Sequence, residues 1–244
     1  MRYAVLSDIH ANLEAFHAVL ARTTALGADR VFCLGDVAGY NADPNECIDL
    51  VRSNGIACIM GNHDAAVCGI EEPDHFNQNA RLAAIWTREH LTGENRSYLR
   101  ELPRILQIDD CFLCHGTVNN TNRYLLYESD AQENFTLMED LPGRPRLCFF
   151  GHTHIKAAYS MDGQVLARAL SDEIHLSSDG RYLANPGSVG QPRDGDPRAA
   201  FLIYDTQERS IVFHRVEYDI AACQKKILQA GLPARLAERL IMGR

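Results

Sequence analysis

The stretch YAVLSDIHANL, residues 3–13, carries the pattern on which the fold prediction depends. A short apolar run over residues 3–6 predicts a buried strand, and it ends at the polar cluster Asp8-Ile9-His10. The apolar spacing over residues 12–26 then predicts a helix that ends at Gly27. A strand, a polar turn and a helix in this order are typical of an α/β protein with a parallel sheet.

The same unit repeats along the first half of the chain. Residues 30–34 and 56–60 predict further strands, and Asp43-Pro44 begins a second helix that ends near Asn54-Gly55. Residues 77–91 predict a third helix, and residues 104–114 a hairpin that turns at Asp109-Asp110. Further strands are predicted at 146–150, 157–160, 164–170, 182–184, 199–205 and 210–218, with closing helices at 220–229 and 233–241. We expect one domain over residues 1–244, with an insertion over the site at 117–144.

Composition places the chain among ordinary globular proteins. It has 46% hydrophobic and 23% charged residues and a formal net charge of −8, which argues against a nucleic-acid-binding surface. We find no signal-peptide pattern and no run of eighteen apolar residues, so we predict a cytoplasmic protein without a membrane segment. The eight cysteines predict buried free thiols, because the pair Cys111 and Cys114 lies inside a strand-like run instead of at a helix start.

Five polar clusters each follow an apolar strand directly. Because ligand sites in α/β proteins lie beyond the carboxyl ends of strands, we expect the clusters to converge on one cleft. Their Asp, Asn and His side chains are the ones that bind borderline divalent metals. Side chains two residues apart in an extended segment point the same way, so both ligands of a D-x-H or H-x-H pair can reach the metal site. Asp36 is the natural bridge between two ions because it stands alone in its cluster. The clusters are Asp8-Ile9-His10, Gly35-Asp36, Gly61-Asn62-His63-Asp64, His115-Gly116 and Gly151-His152-Thr153-His154.

Together these motifs resemble those of the calcineurin-like metallophosphoesterase superfamily, and Asn185-Pro186-Gly187-Ser188 resembles a loop of its small bacterial and archaeal phosphoesterase branch. The resemblance covers residues 8–154 and implies a four-layer αββα sandwich with two mixed central sheets and two metal ions. By matching positions, one ion would be held by Asp8, His10 and His154, and the other by Asn62, His115 and His152, with Asp36 bridging.

Such a site predicts a metal-dependent phosphoesterase that hydrolyses phosphate mono- or diesters. A hydroxide bridging two divalent ions would attack phosphorus in line, and His63 would donate a proton to the leaving oxygen. Asp64 would either accept from the His63 ring and fix its tautomer or cap the following segment. Asn12 would be a helix cap or a substrate contact. Manganese, iron, zinc, nickel and cobalt all suit this imidazole-rich set, so the metal identity stays open.

The chain also departs from the family pattern. Ser/Thr phosphatases and diadenosine tetraphosphatases of this superfamily have a phosphate-binding arginine in the second cluster, where this chain continues with Val37 and Ala38, and Met60 precedes the third cluster. Arg193 is the candidate that would replace these arginines. The alternatives are a phosphoprotein or nucleotide phosphatase, a DNA-end nuclease, and a scaffold that has lost its chemistry and resembles the related retromer subunit. We expect a small phosphoester or phosphoprotein as substrate, and the oligomeric state stays open.

Overall fold

The computed structural model describes all 244 residues and contains twelve strands and eight helices. The strands are β1 (Arg2–Leu6), β2 (Arg30–Cys33), β3 (Ala57–Cys58), β4 (Ile105–Ile108), β5 (Cys111–Cys114), β6 (Leu147–Phe149), β7 (Ala157–Asp162), β8 (Val165–Arg168), β9 (Glu173–His175), β10 (Arg181–Asn185), β11 (Ala199–Asp205) and β12 (Ser210–Val216). The helices are α1 (Leu13–Ala25), α2 (Pro44–Ser53), α3 (Asn62–Val67), α4 (Gln78–His90), α5 (Gly93–Glu101), α6 (Glu128–Glu139), α7 (Ile220–Gln229) and α8 (Ala234–Leu240). A short 3-10 helix, Pro73–His75, precedes α4.

The strands form two six-stranded mixed sheets. The first sheet has the order β3-β2-β1-β11-β12-β9, in which β1, β2 and β3 are parallel and β11 runs antiparallel to β1. The second has the order β4-β5-β6-β10-β7-β8, in which β5, β6 and β10 are parallel. The carboxyl ends of the parallel strands in each sheet carry the polar clusters. The predicted fold class, an αββα sandwich with two mixed sheets, is confirmed.

Alternating side chains along β1 and β5 build the layers. In β1, Tyr3 and Val5 enter the core between the two sheets, whereas Ala4 and Leu6 enter the core under α1 and α2. In β5, Leu113 enters the same inter-sheet core, whereas Phe112 packs with α6 on the outer face of the second sheet. This two-residue period is the reason that short apolar strands can be buried on both faces.

Most predicted elements are present, but one strand is shorter than expected, and helices α3, α5 and α6 and strand β9 were not predicted. The strand expected at 56–60 is reduced to β3, because only two of its residues pair with β2. Helix α5 was missed because Leu99 is its one buried apolar side chain, which leaves no apolar stripe to read. Strand β9 was missed because it is a polar three-residue edge strand, paired only with β12.

Residues 117–144 run first along the candidate site and then away from it. A loop from Thr117 leads to α6, whose Phe135 and Met138 are buried against the second sheet. All eight cysteines are free and buried. Cys111 and Cys114 enter different cores, as expected for strand residues three apart, and the Cys114 Sγ lies 3.6 Å from the Cys148 Sγ. No helix has the length and apolar content that a membrane crossing requires.

Candidate metal centre

The five polar clusters meet at one point between the two sheets. Loops after β1 and β2 and the start of α3 bring ligand candidates from the first sheet, and loops after β5 and β6 bring them from the second. All of the side chains are buried, and the most exposed of them, Asn62, has only 6% of its surface accessible. The residues brought together are the seven expected from the sequence: Asp8, His10, Asp36, Asn62, His115, His152 and His154.

Five of these seven residues have left-handed backbone conformations. Their φ angles lie between 48° and 67°, a region that non-glycine residues rarely occupy. Each such residue costs on the order of 1–3 kcal/mol, and the surrounding structure must stabilise it. The concentration of this strain at the ends of the strands marks the cluster as a functional site. The five residues are Asp8, His10, Asp36, His152 and His154.

Three of the side chains form a first ligand group. One ligand atom each from Asp8, His10 and His154 lies within 4.8 Å of the others. The Asp8 Oδ1 is 3.3 Å from the His154 Nε2 and 3.8 Å from the His10 Nε2. This group can hold one ion by a carboxylate and two imidazoles, a ligand set that suits borderline divalent metals.

A second group lies beside the first. One ligand atom each from Asp36, His115 and His152 lies within 4.8 Å of the others. The Asn62 Oδ1 is 3.0 Å from the His115 Nε2, so the amide oxygen points at the same position. This group offers oxygen and imidazole ligands to a second ion.

The carboxylate of Asp36 connects the two groups. Its Oδ2 is 3.6 Å from the His10 Nε2 of the first group and 3.3 Å from the His115 Nε2 of the second. Its Oδ1 accepts a hydrogen bond of 2.8 Å from the main-chain N–H of His63, which fixes the orientation of the carboxylate. A single oxygen is therefore placed to serve both positions.

The histidine tautomers turn lone pairs toward the centre. The Nδ1 atoms of His10, His115 and His154 lie 2.6–3.1 Å from main-chain carbonyl oxygens, to which they must donate. In the neutral form of each ring, the Nε2 atom is then left with a free lone pair. The Nε2 atoms of His10 and His154 face each other at 3.1 Å, an arrangement that repels unless a cation or proton lies between them. The carbonyls belong to Ala38, Leu34 and Gln191.

Buried carboxylate charge also requires a cation. The Asp8 Oδ1 and the Asp36 Oδ2 are buried without a hydrogen-bond partner. Burial raises the pKa of Asp8 to about 7, and the neighbouring Asp36 adds to the shift. Burial alone would also raise the pKa of Asp36, but the imidazoles of His115 and His63 outweigh it and hold that pKa low. Burial holds the pKa of His10 and His154 well below the usual value, so these rings are neutral. The residues therefore fit divalent ions, which would supply the missing positive charge.

Two glycines allow the ligand loops to approach each other closely. A Cβ atom at Gly61 would lie 2.0 Å from the Asp36 Oδ1, and one at Gly151 would lie 2.0 Å from the Ser7 Oγ and 3.1 Å from the Asp8 Oδ2. Real Cβ atoms do not approach other heavy atoms so closely. Glycine is therefore required at both positions for the ligands to keep these places.

The loop at 185–188 joins the ligand loops of the two sheets. The Asn185 Nδ2 donates to the carbonyl of Gly151 at 2.8 Å and to the Thr153 Oγ1 at 3.0 Å. The Ser188 Oγ donates to the carbonyl of Asp8 at 2.8 Å. This positioning role was not predicted, although the motif itself was visible in the sequence.

His63 lies at the cluster, but Asp64 does not contact its ring. The His63 ring packs between Tyr40 and Phe76, with centroids 4.5 and 4.3 Å away, and its Nδ1 is buried without a partner. Burial lowers the pKa of His63 to about 4. The expectation that Asp64 fixes the His63 tautomer was wrong. Its carboxylate accepts from the main-chain N–H groups of Ala38 and Gly61, both at 3.1 Å, and so caps the start of α3.

The two residues suggested as substrate contacts have different surroundings. Asn12 is fully buried, caps α1 by accepting from the Ala15 N–H, and donates to the carbonyl of Gly190. Its use as a substrate contact was wrong, because both ends of its side chain are engaged in the fold. Arg193 instead lines the cleft of about 250 Å³ that opens on the cluster. Its guanidinium donates to the Tyr40 hydroxyl at 3.1 Å and to the Gln191 Oε1 at 3.0 Å.

Aromatic residues that were not predicted form much of the cleft wall. Tyr40 and Phe76 flank the His63 ring, and Tyr124 stacks on His152 with centroids 4.0 Å apart. The carbonyl oxygen of Asn122 lies 3.3 Å from the His152 Nε2, which leaves Nδ1 as the free ligand atom of that ring. No sequence spacing signals Tyr124, because its loop has no regular period.

Comparison with protein families agrees with this geometry. The family model of the calcineurin-like phosphoesterase superfamily domain matches residues 1–209, which include every ligand candidate. The chain belongs to the calcineurin-like phosphoesterase superfamily. This phosphoesterase is thus a hydrolase acting on phosphoester bonds, and its family is metal-dependent.

Related proteins extend the similarity over the full chain. An uncharacterised protein of Methanocaldococcus jannaschii is 39% identical over 245 residues, covering 99% of this chain and 98% of that protein. The crystal structure of a metallophosphoesterase from Sphaerobacter thermophilus is 39% identical, with a TM-score of 0.87 and coverage of 100% and 99% of the two chains. A hypothetical protein of Pyrococcus horikoshii shares the fold at 21% identity and a TM-score of 0.82, covering 100% of this chain and 98% of that one.

Proposed function

We propose that this phosphoesterase hydrolyses phosphate mono- or diesters with two divalent ions held in the cluster, by in-line attack of a hydroxide. The observation that carries the proposal is the position of Asp36, whose Oδ2 lies 3.6 Å from the His10 Nε2 and 3.3 Å from the His115 Nε2. An oxygen so placed supports a bridge between two ions. Two bound divalent ions supply an activated hydroxide and stabilise the charge that develops on the phosphoryl oxygens.

The remaining polar groups of the cleft bind and orient the ester. Arg193 carries a guanidinium beside the cluster and is the candidate to bind phosphoryl oxygens, since no acidic side chain lies within 4.0 Å of it. Arginine matches the geometry of phosphate better than lysine does, because its planar fork offers two parallel N–H groups. Arg193 would therefore take the place of the family arginines that are missing after Asp36 and before Gly61.

His63 is the candidate proton donor to the leaving oxygen. It reaches the cleft beside Asp36 and Asn62, and aromatic rings shield it from water. A pKa near 4 means that the ring is neutral before the ester binds. A negatively charged phosphoryl group beside the ring favours its protonated form.

The size of the cleft and the state of the cysteines bear on the substrate class and the location. The cleft of about 250 Å³ fits a small phosphoester better than a folded phosphoprotein surface, although an extended phosphopeptide also fits its dimensions. Eight free, buried cysteines support a reducing compartment such as the cytoplasm. The metal identity is proposed only as a class: manganese, iron, zinc, nickel or cobalt.

The test is a panel of chromogenic monoesters, chromogenic diesters and phosphopeptides. Purified protein is stripped of metal with a chelator and then assayed with each of the five divalent ions added back. We expect hydrolysis only after metal is returned, with metal analysis giving two ions per chain at saturation. Activity that survives complete metal removal would refute the proposal. Two bound ions with no turnover of any ester would favour the scaffold alternative.

A further inference from the structure

Three arginines near the end of the chain line a second cleft next to the candidate metal centre. Arg235 and Arg239 lie on α8, and Arg244 follows it. The cleft has a volume of about 400 Å³, and its other lining residues are Asn77, Gln78, Asn79 and Leu236. No acidic side chain is among the lining residues, although the formal net charge of the chain is −8. This concentration of positive charge therefore runs against the charge of the whole protein.

The arginine cleft continues the cleft of the metal cluster. Asn77 lines both of them. The preceding residue, Phe76, stacks on His63, and Tyr40 on the other side of His63 packs in the same apolar cluster as Leu236 of α8. The arginines thus lie on the side of the cluster where His63 would protonate a leaving group.

The arginines are held in place, and two of them have no acidic side chain as a partner. Arg239 donates from its Nε to the main-chain oxygen of Arg244, and no Asp or Glu side chain lies within 4.0 Å of either guanidinium. Arg235 has only an exposed ion pair with Glu238 at 3.6 Å, which contributes little. The main-chain N–H of Gly195 donates to the carbonyl beside Arg244, that of Gly243, at 2.9 Å. The end of the chain is therefore tied to the loop that carries Arg193.

The guanidinium of Arg239 is half-buried and therefore only partly hydrated. Burial lowers its pKa to about 10, and the nearby Arg193 adds to the shift. The side chain is still charged at neutral pH, so folding leaves a half-buried cation that no Asp or Glu side chain neutralises. Planar guanidinium groups in such a setting bind phosphate through paired charge-assisted hydrogen bonds.

We propose that the arginine cleft, lined by Arg235, Arg239 and Arg244, binds a second phosphate carried on the leaving group of the phosphoester. This inference rests on the proposed function, because it takes the scissile phosphate to lie at the metal cluster. The substrate is then a small molecule with two phosphate groups. The formal net charge of −8 makes a long polyanion a poor fit.

The first experiment measures anion binding without catalysis. Pyrophosphate is titrated calorimetrically into metal-free protein at low ionic strength, so that no bound metal competes for it. We expect Arg239→Gln and Arg244→Gln each to weaken binding by about tenfold or more, the usual effect of losing a charge-assisted hydrogen bond. Lys225→Gln is the matched control, since this exposed residue on α7 carries the same charge outside the cleft. Arg244→Gln lies at the exposed end of the chain and covers the case in which Arg239→Gln does not fold.

The second experiment measures specificity. Alkanediol bisphosphates of three to eight carbons are compared with the corresponding monophosphates. They are used as monoesters if the wild type hydrolyses monoesters. If it hydrolyses diesters, the scissile phosphate of each compound is methylated. We expect kcat/KM to be about tenfold or more higher for one chain length of the bisphosphates, and Arg239→Gln to abolish that preference. The control Lys225→Gln should keep it.

The outcomes separate this inference from the proposed function. Equal pyrophosphate affinity in all four proteins, or none in the wild type, would overturn the arginine site even if esters are hydrolysed. A bisphosphate preference that survives Arg239→Gln and Arg244→Gln would also overturn it. A protein that hydrolyses no ester would refute the proposed function, and the calorimetric result would still decide whether the cleft binds phosphate.

Discussion

Replacing Gly61 with alanine displaces Asp36 and leaves the ligand set chemically intact. The backbone of Gly61 has φ −88° and ψ 175°, which alanine adopts without strain. The added Cβ would lie 2.0 Å from the Asp36 Oδ1 and 2.4 Å from the Asp36 main-chain N, whereas real Cβ contacts begin near 3.0 Å. Because one of these contacts is to the main chain, the Asp36 loop and its carboxylate must move away from Gly61 by up to about 1 Å.

The size of this shift sets the expected effect. Metal–ligand distances tolerate changes of about 0.2 Å, so a displacement of about 1 Å removes Asp36 from a bridging position. Disturbing the partner that orients a metal ligand costs about 10–100-fold in metal affinity, and we expect at least this loss for both ions. The hydrogen bond from the His63 N–H to Asp36 should be lost as well.

The assay is metal titration with a competing indicator dye, with metal content after dialysis as a second measure. Gly93→Ala is the matched control, because Gly93 has no atom within 4 Å of an added Cβ and an ordinary φ. Thermal unfolding of the metal-free proteins should show that both variants fold. If Gly61→Ala binds two ions with wild-type affinity, Asp36 does not bridge them and the reasoning from its Oδ2 position fails.

Four further results are expected. Asp36→Asn should lower the occupancy of both ions together, and loss of one ion alone would contradict a bridge. His63→Ala should keep both ions and lose about 10²–10⁴ in kcat for esters with alkoxide leaving groups, but far less for p-nitrophenyl esters; equal losses would exclude a proton donor. Mn²⁺ at about 100 times its dissociation constant should raise the free energy of unfolding by about 2.7 kcal/mol per site, measured by chemical denaturation. A chelator should remove this gain, and an unchanged denaturation midpoint would argue against a metal site in the native state. Lys226→Met should destabilise the fold by about 1 kcal/mol in the same assay, because it breaks the contacts of Lys226 with Glu14 and Asp43 at 2.6 and 2.9 Å. An unchanged free energy of unfolding would show that solvent screens both ion pairs.

The convergence of the ligand clusters could be predicted because its causes are local. Each cluster follows its own strand, and a parallel arrangement brings the strand ends to one edge of the sheet irrespective of the conformation of the connecting loops. The Asp8-x-His10 and His152-x-His154 pairs were predicted from residue type and a spacing of two, although their backbone is left-handed and not extended as assumed. The order of the strands and the pairing of residues far apart in sequence required the structure.

The contacts of Asp64 and Asn12 could not be predicted, because a capping residue and a site residue have the same local sequence. Asp64 follows His63 directly, yet its carboxylate turns back to main-chain groups of Gly61 and of Ala38 in another loop. Asn12 is near the cluster in sequence but donates to Gly190, far along the chain. Tertiary packing decides whether such a side chain binds main-chain groups or takes part in the site.

The arginine cleft was invisible for a different reason. Arg235 and Arg239 lie four apart on a short terminal helix, a spacing that is typical of an ordinary solvated face. Their meaning depends on α8 packing against Tyr40, which lies almost two hundred positions earlier in the chain. No periodicity within either segment signals that contact.

The division of ligands between two sheets has a consequence for ion exchange. Asp8 and Asp36 come from loops of the first sheet, whereas His115 and His152 come from loops of the second. An ion bound by both sets leaves only after ligands from both sheets release it, so we expect slow exchange whose rate follows local motions of these loops. Protein purified from a cell would then carry the ions that were abundant while the chain folded, and later changes in the medium would alter its metal content only slowly.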